Sequence, residues 1–114
     1  MKIQNIFDTK CEKELTIWIG TDAQDNWDII DKASQFDYWF HLDDKPSCHV
    51  ILRLPDKKTK VNKQSLIHCA ALCKENSKYK DHKKITVIYT EIKNISKGED
   101  VGSVFTKRVN RIIV

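Results

Sequence analysis

Two short segments constrain the fold of this chain more than any other feature. Asp37–Leu42 and His49–Leu54 are rich in aromatic and branched residues, and the turn formers Asp43, Asp44, Lys45, Pro46, Ser47 and Cys48 lie between them. This pattern predicts an antiparallel hairpin. In a strand, alternate residues share a face, so Val50, Leu52 and Leu54 form an apolar core face, and His49, Ile51 and Arg53 lie on the other. In the first segment Trp39 and His41 share one face, and Tyr38, Phe40 and Leu42 the other. A register that sets His41 opposite His49 also sets Trp39 opposite Ile51 and Asp37 opposite Arg53, an opposite-charge pair. A slip of one residue would put His41 against Val50 and dissolve that grouping.

The remaining chain supplies elements around this hairpin. Leu15, Ile17 and Ile19 alternate with polar or aromatic neighbours before Gly20 and predict a strand. Trp27, Ile29, Ile30 and Ala33 are spaced for a helix, with Asp25 as the expected N-cap. A second helix is predicted from Asn62 to about Lys78, since Leu66, Cys69, Ala70, Cys73 and Ser77 fall on one stripe. Ile85–Thr90 reads as a strand, and 103–106 with 111–114 as a closing hairpin around residues 107–110. The expectation is an α+β fold in one domain spanning residues 1–114, with a mostly antiparallel sheet and one or two helices packed on one face.

The length of 114 residues and a hydrophobic fraction of 40% suit one packed core. No apolar run is long enough for a signal-peptide core or a membrane span, so no membrane partner is expected, and the four cysteines are expected as free thiols in a cytoplasmic protein, with the nucleus as the alternative. The net charge of +4 conceals an asymmetry. Residues 1–56 hold 6 basic and 11 acidic groups, and residues 57–114 hold 14 basic and 5 acidic, so the halves carry −5 and +9. Such segregation suits a surface facing a polyanion. An indole beside imidazole and guanidinium groups on an exposed strand face would stack an unpaired base and grip its phosphate. The bland counterpart places Trp39 in the core and uses Arg53 to neutralise Asp37.

The segment Asp37-Tyr38-Trp39-Phe40-His41-Leu42, followed by Pro46-Ser47-Cys48-His49-Val50-Ile51-Leu52-Arg53, resembles the NFACT-R signature. Gly20-Thr21-Asp22 with Asp25-Asn26, the helix Ala70–Ser77, and Val87-Ile88-Tyr89-Thr90 with Asn94, Lys97 and Val101–Val104 extend the similarity over roughly residues 15–113. Cys48 departs from the small serine or glycine expected in the turn. The resemblance implies RNA binding, because this domain occurs in ribosome quality-control factors that engage tRNA on the large ribosomal subunit and in small eukaryotic proteins with a coiled coil, some of them tied to DNA. The 114 residues hold neither a glycosylase-related domain nor a coiled coil, so the expectation is confined to the binding module itself.

Carried over residue by residue, the resemblance nominates Trp39, His41, Ser47, His49 and Arg53, and from the later segment Tyr89, Thr90, Asn94 and Lys97. Charge alone adds Lys93, Lys107, Arg108 and Arg111. The expected partner is structured RNA, tRNA or rRNA, with the ribosome and DNA as further candidates and no cofactor. Three competing readings remain. His41, Asp43, Asp44, Cys48 and His49 are metal-ligand types, but their spacing matches no zinc pattern. His41 or His49 near a carboxylate would serve a nuclease, although no nucleophile-base-orienter set is visible. Finally, the basic half would also suit an adaptor docking on an acidic protein.

Overall fold

In the computed structural model, which describes residues 1–114, the two alternating segments pair as strands β3 (Tyr38–Leu42) and β4 (Val50–Leu52). Their register is the expected one, with Trp39 opposite Ile51 and Tyr38 opposite Leu52. The other strands of the main sheet are β1 (Lys2–Asp8), β2 (Lys13–Ile19), β5 (Thr86–Glu91) and β8 (Asn110–Ile113), and the helices are α1 (Ala23–Lys32) and α2 (Lys63–Glu75). Two three-residue strands, β6 (Ile95–Lys97) and β7 (Val104–Thr106), form a separate small hairpin. The main sheet has six strands in the order β1-β2-β4-β3-β5-β8, and every pairing is antiparallel. The fold is α+β.

Both faces of the sheet are covered, and by different elements. On one face Leu15, Ile17, Ile19, Phe40, Leu42, Val50, Leu52 and Val87 pack against Cys69, Ala70, Leu72 and Cys73 of α2. Cys69, Ala70 and Cys73 of the expected stripe are buried, joined by Ser65 and Leu72. The helix ends at Glu75 with Asn76 as its C-cap, so Ser77 lies beyond it, and Asn62 caps the start by accepting from the Gln64 N–H at 2.8 Å. Buried Asp8 ties this helix to β1, accepting from Asn62 N at 2.7 Å and from the Ser65 hydroxyl at 2.6 Å. On the opposite face Trp39 and Ile51 pack under Ile29 and Ile30 of α1, with Ile95 and Val104 of the small hairpin beside them.

Several local expectations are corrected. Asp22, not Asp25, is the N-cap of α1, accepting from Asp25 N at 2.8 Å, while the Asp25 carboxylate binds back to Thr21. Residues 103–106 and 111–114 do not form a hairpin with each other. β7 pairs with β6, and β8 pairs with β5 at the sheet edge. A chain segment joins whichever strand offers a matching edge, and here residues 107–109 carry the chain from one sheet to the other. Strands β1 and β6 lie outside the expected elements, and on β1 Ile3 and Phe7 remain 59% and 64% exposed, so this strand has no buried apolar face.

Candidate nucleic-acid interface

The β3–β4 register gathers the central residues as the sequence suggests. The ring centroids of His41 and His49 lie 5.1 Å apart, and Arg53 Nε bonds Asp37 Oδ2 at 2.6 Å. Their exposure is the opposite of the expectation. Trp39, His49 and Asp37 are buried, at 1%, 2% and 0% exposure, because α1 and the β6–β7 hairpin cover this face of the sheet. The indole N–H of Trp39 donates to Nδ1 of His49 at 3.1 Å, and the indole stacks on His41 with the planes 5° apart. Asp37 also accepts from Ser34 N and Leu54 N, and Arg53 lies over the Trp18 ring at 4.0 Å. This cluster fastens two strands and a loop, and its indole presents no face to a base.

Next to it, at the His41 and His49 end of the two strands, lies a cleft of about 650 Å³ lined by Gly20, Asn26, His41, Ser47, Cys48 and Lys78 among others. The Ser47 hydroxyl accepts from Leu42 N at 3.1 Å and donates to the Cys48 carbonyl at 3.0 Å, so it holds the turn. Asn26 Oδ1 accepts from His49 N at 3.1 Å. Gly20 is required there, since a Cβ would stand 1.8 Å from that same oxygen. Burial, and the neighbouring His41, push the His49 pKa down to about 3 against a raising hydrogen bond with the Gly102 backbone. Burial likewise lowers His41, opposed by backbone hydrogen bonds to Leu42 and Ser47. Both imidazoles are neutral at pH 7, and no carboxylate orients either one. No group of three His, Cys, Asp or Glu side chains converges as a ligand set.

The other nominated residues lie elsewhere. At the opposite end of β3, Tyr38, Tyr89, Thr90, Lys93, Asn94 and Arg108 line a smaller depression of about 250 Å³. Here the side chains form a frame. The Thr90 hydroxyl donates to the Arg108 carbonyl at 3.1 Å, Asn94 Nδ2 donates to Thr90 Oγ1 at 2.9 Å, and Lys107 N donates to the Asn94 carbonyl at 3.1 Å. Buried Thr90 therefore anchors a turn whose two cations, Lys107 and Arg108, are both exposed. Arg108 holds that turn with a φ of 54°. Exposed Lys93 stands on the same side with Glu91 at 3.6 Å, and Tyr38 meets Tyr89 edge-on at 5.9 Å. Tyr38 escaped the sequence reading, since strand alternation assigned it to the core face.

Lys97 and Arg111 belong to neither group. Lys97 bonds Asp31 at 2.6 Å and lies 5.3 Å from the Trp27 ring centre, which clamps the small hairpin to α1. Arg111 on β8 reaches Asp43 at 3.3 Å. The positive second half of the chain is thus distributed. Lys57, Lys58, Lys60 and Lys63 precede or begin α2, and Lys78, Lys80, Lys83 and Lys84 follow its end. A helix of 13 residues separates these two sets by about 20 Å.

The sequence model of the family described as the NFACT protein RNA binding domain matches residues 5–108. The chain belongs to this family. Its NFACT-R residues are 37% identical over 89 positions to coiled-coil domain-containing protein 25 of Danio rerio, covering 75% of this chain and 43% of that protein. They are 30% identical over 84 positions to the Rqc2 homolog RqcH of Bacillus subtilis, covering 73% of this chain and 14% of that protein. The chain therefore spans less than half the length of these relatives. The C-terminal part of the fibronectin/fibrinogen-binding protein from Streptococcus suis shares the NFACT-R fold, with a TM-score of 0.82 at 23% identity over 100% of this chain and 45% of that one. Membership supports a nucleic-acid-binding role, RNA above all.

Proposed function

We propose that this NFACT-R chain is a non-catalytic module that binds structured RNA, tRNA or rRNA, through the turn carrying Lys107 and Arg108 together with Lys93 and the Tyr38–Tyr89 pair. The observation that carries the reading is the frame beneath the turn. The Thr90 hydroxyl donates to the Arg108 carbonyl, the Asn94 side chain donates to Thr90, and the Asn94 carbonyl accepts from Lys107 N, which holds the turn bearing two adjacent exposed cations. Cations so placed contact phosphates without reading sequence, so recognition rests on RNA shape. The same reading makes the ribosome the larger partner and the cytoplasm, or the nucleus, the place of action. No helix of the chain is long and apolar enough to cross a membrane.

The test is binding of tRNA by the purified chain across a salt series. Each phosphate contact contributes a slope of roughly −0.7 to −0.9 in log affinity against log salt. Replacing Lys107 and Arg108 with alanine together should make the slope shallower by about 1.5. An unchanged slope would move the interface elsewhere. Duplex DNA as competitor separates an RNA module from a general polyanion binder, and intact tRNA after long incubation separates a binder from a nuclease.

A further inference from the structure

One edge of the main sheet is unguarded. β1 stands first in the strand order, so its seven residues pair with β2 on one side and meet no strand on the other. Strand edges are ordinarily blunted by brevity, proline, a bulge or a mid-strand lysine. β1 has none of these: its pairing with β2 runs unbroken from Lys2 to Asp8, and its one lysine is the first residue. The other edge strand, β8, has four residues and carries exposed Arg111 among them.

The ladder fixes which backbone groups β1 presents. Gly20 N donates to the His49 carbonyl and Arg53 N to the Thr16 carbonyl, both at 2.9 Å, so the even-numbered positions of β2 face β4. Backbone polar groups alternate sides along an antiparallel strand, which leaves the odd positions of β2 facing β1. Through the register, Leu15 pairs with Ile6, Ile17 with Gln4 and Ile19 with Lys2. The N–H and C=O groups of Ile3, Asn5 and Phe7 therefore point to the open edge. Ile6 packs toward the α2 core, so the side chains of these three residues share the other sheet face, where Ile3 and Phe7 are largely exposed.

We propose that β1 is a homodimerisation edge, which pairs antiparallel with β1 of a second copy about a twofold axis at Asn5. The strand is self-complementary in three respects. The outward groups at positions 3, 5 and 7 meet those at 7, 5 and 3 of the second copy, and each such pair exchanges both of its backbone hydrogen bonds. Ile3 comes opposite Phe7 of the second copy and Phe7 opposite its Ile3, a branched side chain against an aromatic one at both places. Lys2, the only cation of the strand, comes opposite Asp8, its only carboxylate, whereas parallel pairing would set lysine beside lysine.

A β1–β8 contact would be head-to-tail and would not close on itself, whereas the β1–β1 contact is isologous and ends at two chains. The dimer carries one continuous sheet made of two six-stranded halves. The turns bearing Lys107 and Arg108, which lead into β8, stand at its two far ends. This inference is independent of the RNA-binding reading, because it is read from mass in the absence of RNA.

Sedimentation velocity of the full chain from low micromolar to near-millimolar concentration is the test. The expected mass rises from one chain to two and stops there. Asn5→Pro removes an outward N–H and spares the β1–β2 bonds, so it should stay folded by circular dichroism and abolish the rise. The double variants Ile3→Lys/Phe7→Lys and Ile3→Glu/Phe7→Glu change only exposed side chains and should fold as the parent does. Each should sediment as a monomer, because like charges then face each other, and an equimolar mixture of the two should recover the dimer. A parent that stays monomeric throughout would overturn the proposal and leave the edge to a strand of another protein. Mass that climbs beyond two chains, a dimer that the folded charge variants leave intact, or a mixture that fails to recover it would overturn it as well.

Discussion

The indole N–H of Trp39 donates to Nδ1 of His49 across the β3–β4 pair at 3.1 Å, and both side chains are almost wholly buried. This bond sets the imidazole tautomer, because an Nδ1 that accepts leaves the proton on Nε2. It also changes what the pair is for. Two residues that read as a base-stacking surface form part of the joint between the sheet, α1 and the loop holding Gly102.

Trp39→Phe keeps an aromatic ring but removes the donor, so His49 Nδ1 is left buried without a partner. An orphaned buried acceptor costs about 1 to 3 kcal/mol, and the lost indole volume adds to it. Urea unfolding should show a loss in that range. The variant that still folds should bind tRNA as the parent does, and a selective loss for looped RNA in a fully folded variant would restore the stacking role.

Acid should weaken the fold well before carboxylates titrate. The His49 pKa of about 3 lies below its unfolded value near 6.5, and His41 is lowered too. The unfolded chain therefore binds more protons in this interval, and stability is intact above pH 6.5 and declines as pH falls toward 3. The slope for one such histidine is at most about 1.4 kcal/mol per pH unit. Asp8 extends the decline. Its burial would raise its pKa, but hydrogen bonds from the Ser65 hydroxyl and the backbone of Cys11, Asn62 and Lys10 hold it at about 2, so its contribution is lost as pH drops from 3.8. Unfolding midpoints between pH 7.5 and 4.5 should fall less for His49→Gln than for the parent.

Asp37→Ala should be more damaging than Arg53→Ala. Asp37 is fully buried and accepts from Ser34 N, Leu54 N and Arg53, whereas the Arg53 side chain is 29% exposed. Removing the carboxylate orphans two backbone donors together with the guanidinium, a loss of about 3 kcal/mol or more. Removing Arg53 leaves the carboxylate two backbone hydrogen bonds. Chemical denaturation of both variants checks the order.

Arg108→Gly separates binding from folding. A φ of 54° strains any residue with a Cβ, by about 1 kcal/mol, and glycine relieves it. The variant should be as stable as the parent or slightly more so, while its tRNA affinity falls and its salt slope becomes shallower by about 0.7 to 0.9. Unchanged affinity in a stable variant would remove Arg108 from the interface.

Much of this arrangement was legible in the chain of residues. Period-two alternation in 37–42 and 49–54 defined the hairpin, and charge matching between Asp37 and Arg53 pointed to its register. Asn62 and the Cys69-Ala70-Cys73 stripe located α2. Alternation reports which residues share a face, but it says nothing of what lies over that face. Both sides of β3 and β4 are covered, so Trp39 and Ile51 are as buried as Phe40 and Val50.

The nominated site residues show the same boundary. His41, Ser47 and His49 stand at one end of the strands and Tyr89, Thr90 and Asn94 at the other, although all six are nominated by one resemblance, and Arg108, nominated by charge, stands with the second set. Short-range pattern determined the strands other than β1 and β6, the principal helix and the pairing of β3 with β4, because those follow from side-chain period and neighbouring turn residues. Pairing of β1 with β2, the parting of β7 from β8 and the closure of α1 over Trp39 were settled only in three dimensions. β1 and β2 are neighbours in the chain, but β1 carries no buried apolar face that would mark it as a strand, and the covering of Trp39 draws its free energy from surfaces that exist only once the sheet has formed.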